Sequence, residues 1–560
     1  MVQYDAHDRG PRIGATGGPD TVREAEPDAL VIGAGAAGAA VAWRLAAAGW
    51  RVVCLEQGDW VAPASRPPLH EDWELRRLTD FNADPNVRQL PADYPINDTA
   101  SAFTPLMFNA VGGSTIHWSG HFPRFHPSDF RVRALDGVAD DWPLDYAELA
   151  PYYDLNDRMI GVAGLAGDPA QPPRAARQTA PLPIGPFGAA LVRGFEHLGW
   201  HWWPSDSAII TAPYGDEPGR RPCNLCGPCD LGCPIGALSS ADVTYWPAAL
   251  RLGVELRTGC RVREITVDAR GRARGARYYD GEGRIREQRA PVVIVACNGI
   301  GTPRLLLNSR SRPFPDGLAN RSGLVGKHLM FHVFASVGGI FPAALDTFKG
   351  PIGTGLFSHE FYETDPARGF VRGYQLQMGR QSGPLSTALG GQPAARVPWG
   401  AEHHAAFAAR YGSTGYLGVM GEDLPEPANE VVLDPHLTDA HGIPAPLVRY
   451  RLSANSQRLL AHGVARAGEV LRAAGATTIV SASPLRPSGW HLLGTCRMGD
   501  DPGAAVVDRW GRAHDVDNLF VVDGSVFVTS AVGNPTTTIQ ALALRTADHL
   551  IRARGTAGTR

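Results

Sequence analysis

Three sets of residues in this chain have the types and spacing to do chemistry. The first is a run of thiols, Cys223-Asn-Leu-Cys226-Gly-Pro-Cys229-Asp-Leu-Gly-Cys233-Pro. Its spacing, C-x2-C-x2-C-x3-C-P, is used for iron–sulfur ligation, in which thiolates on a turn-rich loop wrap a cluster. In two-cluster ferredoxins the fourth cysteine serves the other cluster, so one run need not give four ligands to one. Four thiolates would also build a zinc knuckle, and such a loop can keep its cysteines without metal. The second set is His491, in Gly-Trp-His-Leu-Leu-Gly-Thr, with Asn534, in Gly-Asn-Pro-Thr-Thr-Thr. Taken alone His491 would more often be structural, but a neutral imidazole beside a hydride acceptor is suited to take an alcohol proton, its pKa lying near working pH. The third is the glycine turn Gly33-Ala-Gly35-Ala-Ala-Gly38, with Glu56 beyond it.

The glycines dictate their own scaffold. Ala-Leu-Val-Ile before them reads as a buried strand, Ala-Ala-Val-Ala-Trp-Arg-Leu after them as a helix, and Val-Val-Cys-Leu as a second strand ending at Glu56. In such a βαβ unit Gly33 lets the chain turn, Gly35 leaves room for a pyrophosphate, and Gly38 lets helix and sheet approach; Glu56 falls where ribose hydroxyls need an acceptor. The phosphates then sit on the helix N-terminus, where free N–H groups favour anions. Regular βα alternation does not continue, which counts against a simple NAD dehydrogenase. Val111-Gly112-Gly113-Ser-Thr-Ile-His117-Trp118 makes a loop able to lie against a flat ring. A helix is expected within Trp142–Gly161, with Tyr146, Leu149, Tyr152 and Tyr153 on one face, then a proline-rich connector over 167–187. Strands turn at Asp268-Ala-Arg-Gly, and Pro291-Val-Val-Ile-Val-Ala is another buried strand, leading into a loop and helix; Cys297 there reads as a buried small residue rather than a nucleophile. From about residue 333 to 489 aromatic and β-branched runs alternate with glycine breaks, the pattern of a mainly antiparallel domain carrying a helix near Ser453–Ala474 with Leu459, Leu460, Val464 and Val470 inward. Arg380, His403 and His404 are conceivable substrate contacts there, although each type is more often a solvated surface group.

The 560 residues exceed one ordinary core, so two or more domains are expected. A net charge of -3 gives no electrostatic case for nucleic acid or an anionic membrane. The longest nearly apolar run, Leu30 to Trp43, is too short to span a bilayer. Residues 1–27 are polar, with neither an apolar h-region nor a twin-arginine pair, and read as a flexible tail. Four of the eight cysteines are crowded into one loop, unlike a secreted disulfide scaffold.

Taken together, these stretches resemble the glucose-methanol-choline (GMC) flavoprotein family over nearly the whole chain from residue 28. The resemblance is densest at the two ends and around the cysteine loop. It implies an α/β plus α+β fold: a discontinuous Rossmann-like FAD-binding domain (28–332 and 490–560, with cysteine-rich loop 222–240) and an inserted substrate domain on a mainly antiparallel sheet (333–489). The family's active-site pair falls on His491 as base and Asn534 as the partner orienting the alcohol; many members have histidine at the second position. Gly112 and Gly113 would lie against the isoalloxazine ring beside His117 and Trp118. In the pyranose oxidase branch a loop of this spacing tethers FAD through its histidine, whereas other relatives hold FAD without a bond. Asp523-Gly524 would approach the pyrophosphate, and Asn534, Pro535 and Thr536 the pyrimidine side of the flavin. The bacterial glucose dehydrogenase branch has a similar cysteine loop holding a 3Fe–4S cluster. Cys223, Cys229 and Cys233 match it, and the extra Cys226 would complete a 4Fe–4S cluster or stay uncoordinated. The expected activity is dehydrogenation of a sugar, polyol or related alcohol, hydride passing to flavin N5. A cluster would send electrons to an external cytochrome, quinone or small carrier. An oxygen-using sugar or aminoglycoside oxidase without a cluster is the first rival, and a non-catalytic flavin- or metal-binding module the rival of another class. The absence of an export signal points to the cytoplasm, while branch members can be exported folded with a small partner subunit.

Overall fold

The computed structural model describes residues 26–380, 383–389 and 397–557. Apart from its last two residues, the expected tail 1–27 lies outside them. The glycine turn sits on a five-stranded, wholly parallel sheet with spatial order Leu519–Val521, Val292–Val295, Ala29–Ile32, Val52–Leu55, Glu255–Arg257. Ala29 stands beside Val52 on one flank and Val292 on the other. Both faces of the first four are covered, which is why they read as continuous apolar runs, whereas the edge strand Glu255–Arg257 is polar and partly exposed. Ala29, Val31, Val52, Cys54 and Ile294 pack against helix Ala36–Ala47 and the last helix, Thr536–Ala557. Leu30, Ile32, Val53, Leu55, Val293 and Val295 face the other way, into a core shared with the antiparallel meander Arg261–Val267, Ala273–Tyr279, Ile285–Arg289. The front and back of the chain therefore meet: the helix after the glycine turn packs along the final helix.

The expected helix near residue 146 runs over Tyr146–Ile160, with Asp145 capping it by accepting from Glu148 N–H at 2.9 Å. Leu149 and Tyr153 are buried, whereas Tyr146 and Tyr152 are only partly so. The second large sheet has six strands, all antiparallel, in the order Thr478–Ala482, Val333–Ile340, Thr414–Gly421, Tyr374–Gly379, Leu356–Ser358, Trp203–Pro204. Four of its features bear on the site. One face, with Val333, Ala335, Val337, Leu376, Leu417 and Val419, packs on helix Ala454–Ala473 through Leu459, Leu460, Val470 and Leu471. The register Phe334↔Met420, Gln375↔Met420, Gln377↔Gly418 and Gly379↔Tyr416 puts these residues together on the opposite face. Glycines there make room for rings: a Cβ on Gly418 would lie 2.7 Å from the Phe334 ring, and one on Gly379 2.0 Å from that of Tyr416. Finally, the layer takes in chain from before residue 333, since Trp203–Pro204 is its edge strand and helix Gly185–Leu198 packs on Ala454–Ala473.

A buried ion cluster ties this layer to the rest. Arg372 reaches Asp129 at 2.6 Å, Asp136 at 3.0 Å and Glu422 at 2.7 Å, all with little or no exposure. Breaking such a cluster on one side costs about 3–5 kcal/mol because it leaves buried charge uncompensated.

Candidate active site

Between the parallel sheet and the open face of the six-stranded sheet lies a cavity of about 420 Å³. Gly33 adopts φ +102°, and a Cβ on it would meet the Ala296 carbonyl oxygen at 2.5 Å. A Cβ on Gly38 would stand 1.9 Å from the Gly33 oxygen, so only glycine permits this helix to start so close to the turn. Gly35 has nothing within 4 Å of where its Cβ would be and faces the cavity, as do Ala36 and Ala37. The free N–H groups of the first helical turn thus form an anion site opening on empty space. Glu56 lies in the same wall; its Oε2 accepts from Ala34 N–H at 2.7 Å and its Oε1 from Gly58 N–H at 2.9 Å. Burial raises its pKa against backbone hydrogen bonds from Gly58, Ala34 and Gln57.

The Gly-Gly loop lies directly on this turn. Gly112 (φ +98°) donates its N–H to the Ala34 carbonyl at 2.9 Å, and a Cβ on Gly113 (φ +57°) would be 2.9 Å from Gly35 Cα. His117 and Trp118 continue the wall, and His117 Nε2 and Trp118 Nε1 are buried with no partner in the protein. His117 lies on Phe81, ring centres 4.9 Å apart, and its pKa is pushed down to about 3 by burial and by Arg88 and Arg77. Asp523 knots its own segment to helix Asn298–Asn308: its carboxylate accepts from Asn298 N–H at 3.1 Å, Thr302 Oγ1 at 2.6 Å and both Ser525 N–H and Oγ. Gly524, Asn534, Pro535 and Thr536 complete this end of the cavity.

His491 and Asn534 both stand in the cavity wall. Burial, with His332 and His121 nearby, keeps the His491 pKa well below its ordinary value. Its Nδ1 is 2.9 Å from Nδ1 of His332, whose Nε2 is 3.0 Å from the Ala531 carbonyl oxygen. The Asn534 amide is oriented by two glutamines: its Oδ1 accepts from Gln377 Nε2 at 2.6 Å and from Gln375 Nε2 at 3.2 Å. Gln375 Nε2 also donates to the Val532 carbonyl at 3.0 Å, and a carbonyl can only accept. Asn534 therefore offers its Nδ2 hydrogens as donors.

Family models described as GMC oxidoreductase match residues 28–334 and 425–543. The chain belongs to the GMC oxidoreductase family. It is 44% identical over 533 residues to the 2-methyl-1,2-propanediol dehydrogenase of Mycolicibacterium austroafricanum, covering 94% of this chain and 95% of that one. It is 34% identical to the 6'''-hydroxyparomomycin C oxidase of Streptomyces lividus, covering 94% and 92%. The fold matches a formate oxidase of Aspergillus oryzae with a TM-score of 0.62 at 15% identity, over 95% of this chain and 99% of that one.

As a GMC enzyme the protein is an FAD-dependent oxidoreductase of CH–OH groups. The fit of FAD rests on the glycine cradle, the free helix N-terminus and the unpartnered nitrogens of His117 and Trp118. Gly38 and Gly112 act on this GMC site through backbone packing and do not themselves line the cavity. Cys297 also lines it, donating Sγ–H to the Ile32 carbonyl at 3.3 Å, with its pKa raised above the ordinary thiol value by burial.

The four loop cysteines lie apart from the main cavity, all lining one smaller void, and none of them is in a disulfide. Leu225 (φ +61°), Gly227 and Gly232 in left-handed conformations fold the loop about it. Among the described residues no three His, Cys, Asp or Glu side chains are placed to hold a single metal ion. Asp230, from the same loop, lines the main cavity beside His117, so the two regions adjoin. Burial raises the pKa values of Cys223, Cys226 and Cys229.

Of the conceivable substrate contacts, Arg380 is neither in the main cavity nor solvated. It is buried against the carbonyls of Pro351, Thr354, Pro183 and Ile184 at 2.7–3.2 Å, and burial pushes its pKa down to about 10. His403 and His404 begin helix His403–Arg410, away from the cavity lining. Sequence reasoning missed His332, Gln375, Gln377, Phe334, Tyr416 and Met420. A signal for the glutamines exists in Tyr-Gln-Leu-Gln-Met-Gly: two polar residues at period two in a buried strand share a face and need polar partners.

Proposed function

We propose that the protein is an FAD-dependent dehydrogenase of a compact, uncharged alcohol, a small diol being the best fit, with His491 as base and Asn534 as donor to the alcohol oxygen. The oriented Asn534 amide carries this reading, because it presents N–H, not carbonyl oxygen, where His491 also faces the cavity. When bound, FAD supplies the hydride acceptor. The protein's part is to hold the hydroxyl between Asn534 Nδ2 and the His491 imidazole, take its proton, and stabilise the negative charge that develops on oxygen.

The substrate class follows from the open sheet face. Phe334, Tyr416, Met420, Trp490 and Ile352 are apolar or aromatic, Gln377 is occupied by Asn534, and none of these carries charge. Against these side chains most hydroxyls of a polyhydroxylated sugar would lack partners, with His121 and Asp230 the nearby polar groups, and a cationic aminosugar would have Asp230, near Tyr416, as its carboxylate to reach. The similarity to a 2-methyl-1,2-propanediol dehydrogenase supports the same class. Anaerobic mixing with 2-methyl-1,2-propanediol, glucose and paromamine tests it: rapid bleaching of the flavin by the diol alone is expected, and equal or faster bleaching by a sugar or aminosugar refutes it.

We also propose that the cysteine loop carries an iron–sulfur cluster, with an external electron acceptor. Four thiols around one void beside the flavin cavity support this, as does Arg380, a buried cation with no carboxylate partner among the described residues, whose charge is felt by Cys223. A multi-iron core accommodates thiolates spread around it better than one zinc ion does. Iron and acid-labile sulfide counted with an EPR spectrum of anaerobically purified protein should show both; protein with neither, turning over with oxygen to give peroxide, would favour the oxidase reading.

A further inference from the structure

We propose that His332 is a positioning residue that fixes the tautomer of His491, leaving Nε2 of His491 as the bare nitrogen that takes the substrate proton. This rests on the reading of His491 as base.

The assignment follows from counting donors. The Ala531 carbonyl can only accept, so His332 Nε2, 3.0 Å away, carries a hydrogen. A neutral imidazole has one N–H, and His332, buried at 2% exposure with its pKa pushed down to about 3, is neutral. Its Nδ1 is therefore an acceptor. Besides the backbone of Ala531 and Gly533, the His332 ring meets Nδ1 of His491, which lies 2.9 Å from its Nδ1, so His491 Nδ1 is the donor and holds that ring's one hydrogen. The rings meet edge to face, centres 4.7 Å apart at 82°, which fixes the plane of His491 as well as its tautomer. In the reaction the substrate O–H bond breaks and Nε2–H forms, while the C–H electron pair leaves with hydride to the bound flavin. The resulting imidazolium keeps its Nδ1–H on His332, now a charge-assisted bond to a neutral acceptor. The sequence hides this pairing, because His332 and His491 lie 159 positions apart.

Two near-isosteric replacements separate positioning from simple bracing. Asparagine at 332 can keep an acceptor where Nδ1 now stands; glutamine can keep the donor to Ala531 but offers none at Nδ1. In flavin-loaded enzyme mixed anaerobically with 2-methyl-1,2-propanediol, His332→Asn should reduce flavin at near the unsubstituted rate. His332→Gln should lose on the order of a hundredfold in the reduction rate with little change in KM. The reverse ranking, or equal behaviour of the two variants, overturns the proposal. A second measurement does not depend on the variants: ¹⁵N shifts of histidine-labelled, unsubstituted protein should show His491 protonated at Nδ1 and bare at Nε2, and the opposite pattern overturns it. Full-rate reduction in His491→Ala would instead sink the underlying reading of His491 as base, whatever tautomer the spectrum shows.

Discussion

Replacing Asn534 by alanine removes two things at once, and the structure separates them. Towards the cavity it deletes the Nδ2 donor that the proposed function places on the developing alkoxide; losing one such donor costs about 10²–10³ in rate, or about 2.7–4 kcal/mol. Towards the protein it deletes the acceptor for two glutamines. Gln375 keeps the Val532 carbonyl, whereas Gln377 Nε2 is left with only the Met420 sulfur at 3.9 Å. One buried donor is thus stranded, at about 1–3 kcal/mol of folding stability. Adding Gln377→Met removes the stranded donor, so the double variant should regain much of the lost stability and none of the lost rate. Anaerobic stopped-flow flavin reduction reads the rate, and denaturant unfolding of the flavin-loaded protein reads the stability. Recovery of both quantities together would show that Asn534 acts only through packing, and recovery of neither would refute the stranded donor as the cause of the lost stability.

His491→Ala should slow flavin reduction by about 10²–10⁴ with little effect on KM, as expected for a general base; a purely kinetic effect on KM would contradict the assignment. Because burial lowers the His491 pKa, the neutral, proton-accepting form is present at neutral pH and is lost only below that depressed value. Reduction rates should therefore stay level from about pH 8 to about pH 6, and a fall centred near the ordinary histidine value of about 6.5 would refute the buried geometry. Gly113→Ala puts a Cβ 2.9 Å from Gly35 Cα in a left-handed backbone, so the variant should purify with reduced flavin absorbance per chain. Arg372→Met leaves Asp129 and Glu422 buried and unpaired and should lower unfolding stability by about 3–5 kcal/mol.

What could be read directly was whatever the chain states locally. The turn at Gly33, Gly35 and Gly38 announces itself because close backbone approach tolerates no side chain, and buried parallel strands leave unbroken apolar runs. Helix Ala454–Ala473 follows from its apolar spacing, with Ser453 as its cap. Asn534 could be named from its motif, but not the direction of its amide, which depends on glutamines some 157 residues away. His332 was invisible for the same reason, and Arg380 was misread because an arginine's usual solvation says nothing about a pocket lined by carbonyls. The inserted domain's edge escaped notice because Trp203–Pro204 is too short to show any period.

The cofactor cradle is closed by residues from both extremities, Gly33 at one end and Thr536 at the other, with Leu519–Val521 as an outer strand of the parallel sheet. During translation, then, the first helix has no companion until residues 536–557 have been made. Flavin should be held only after that point, and deleting residues 537–557 should yield colourless protein, however well its antiparallel layer has formed.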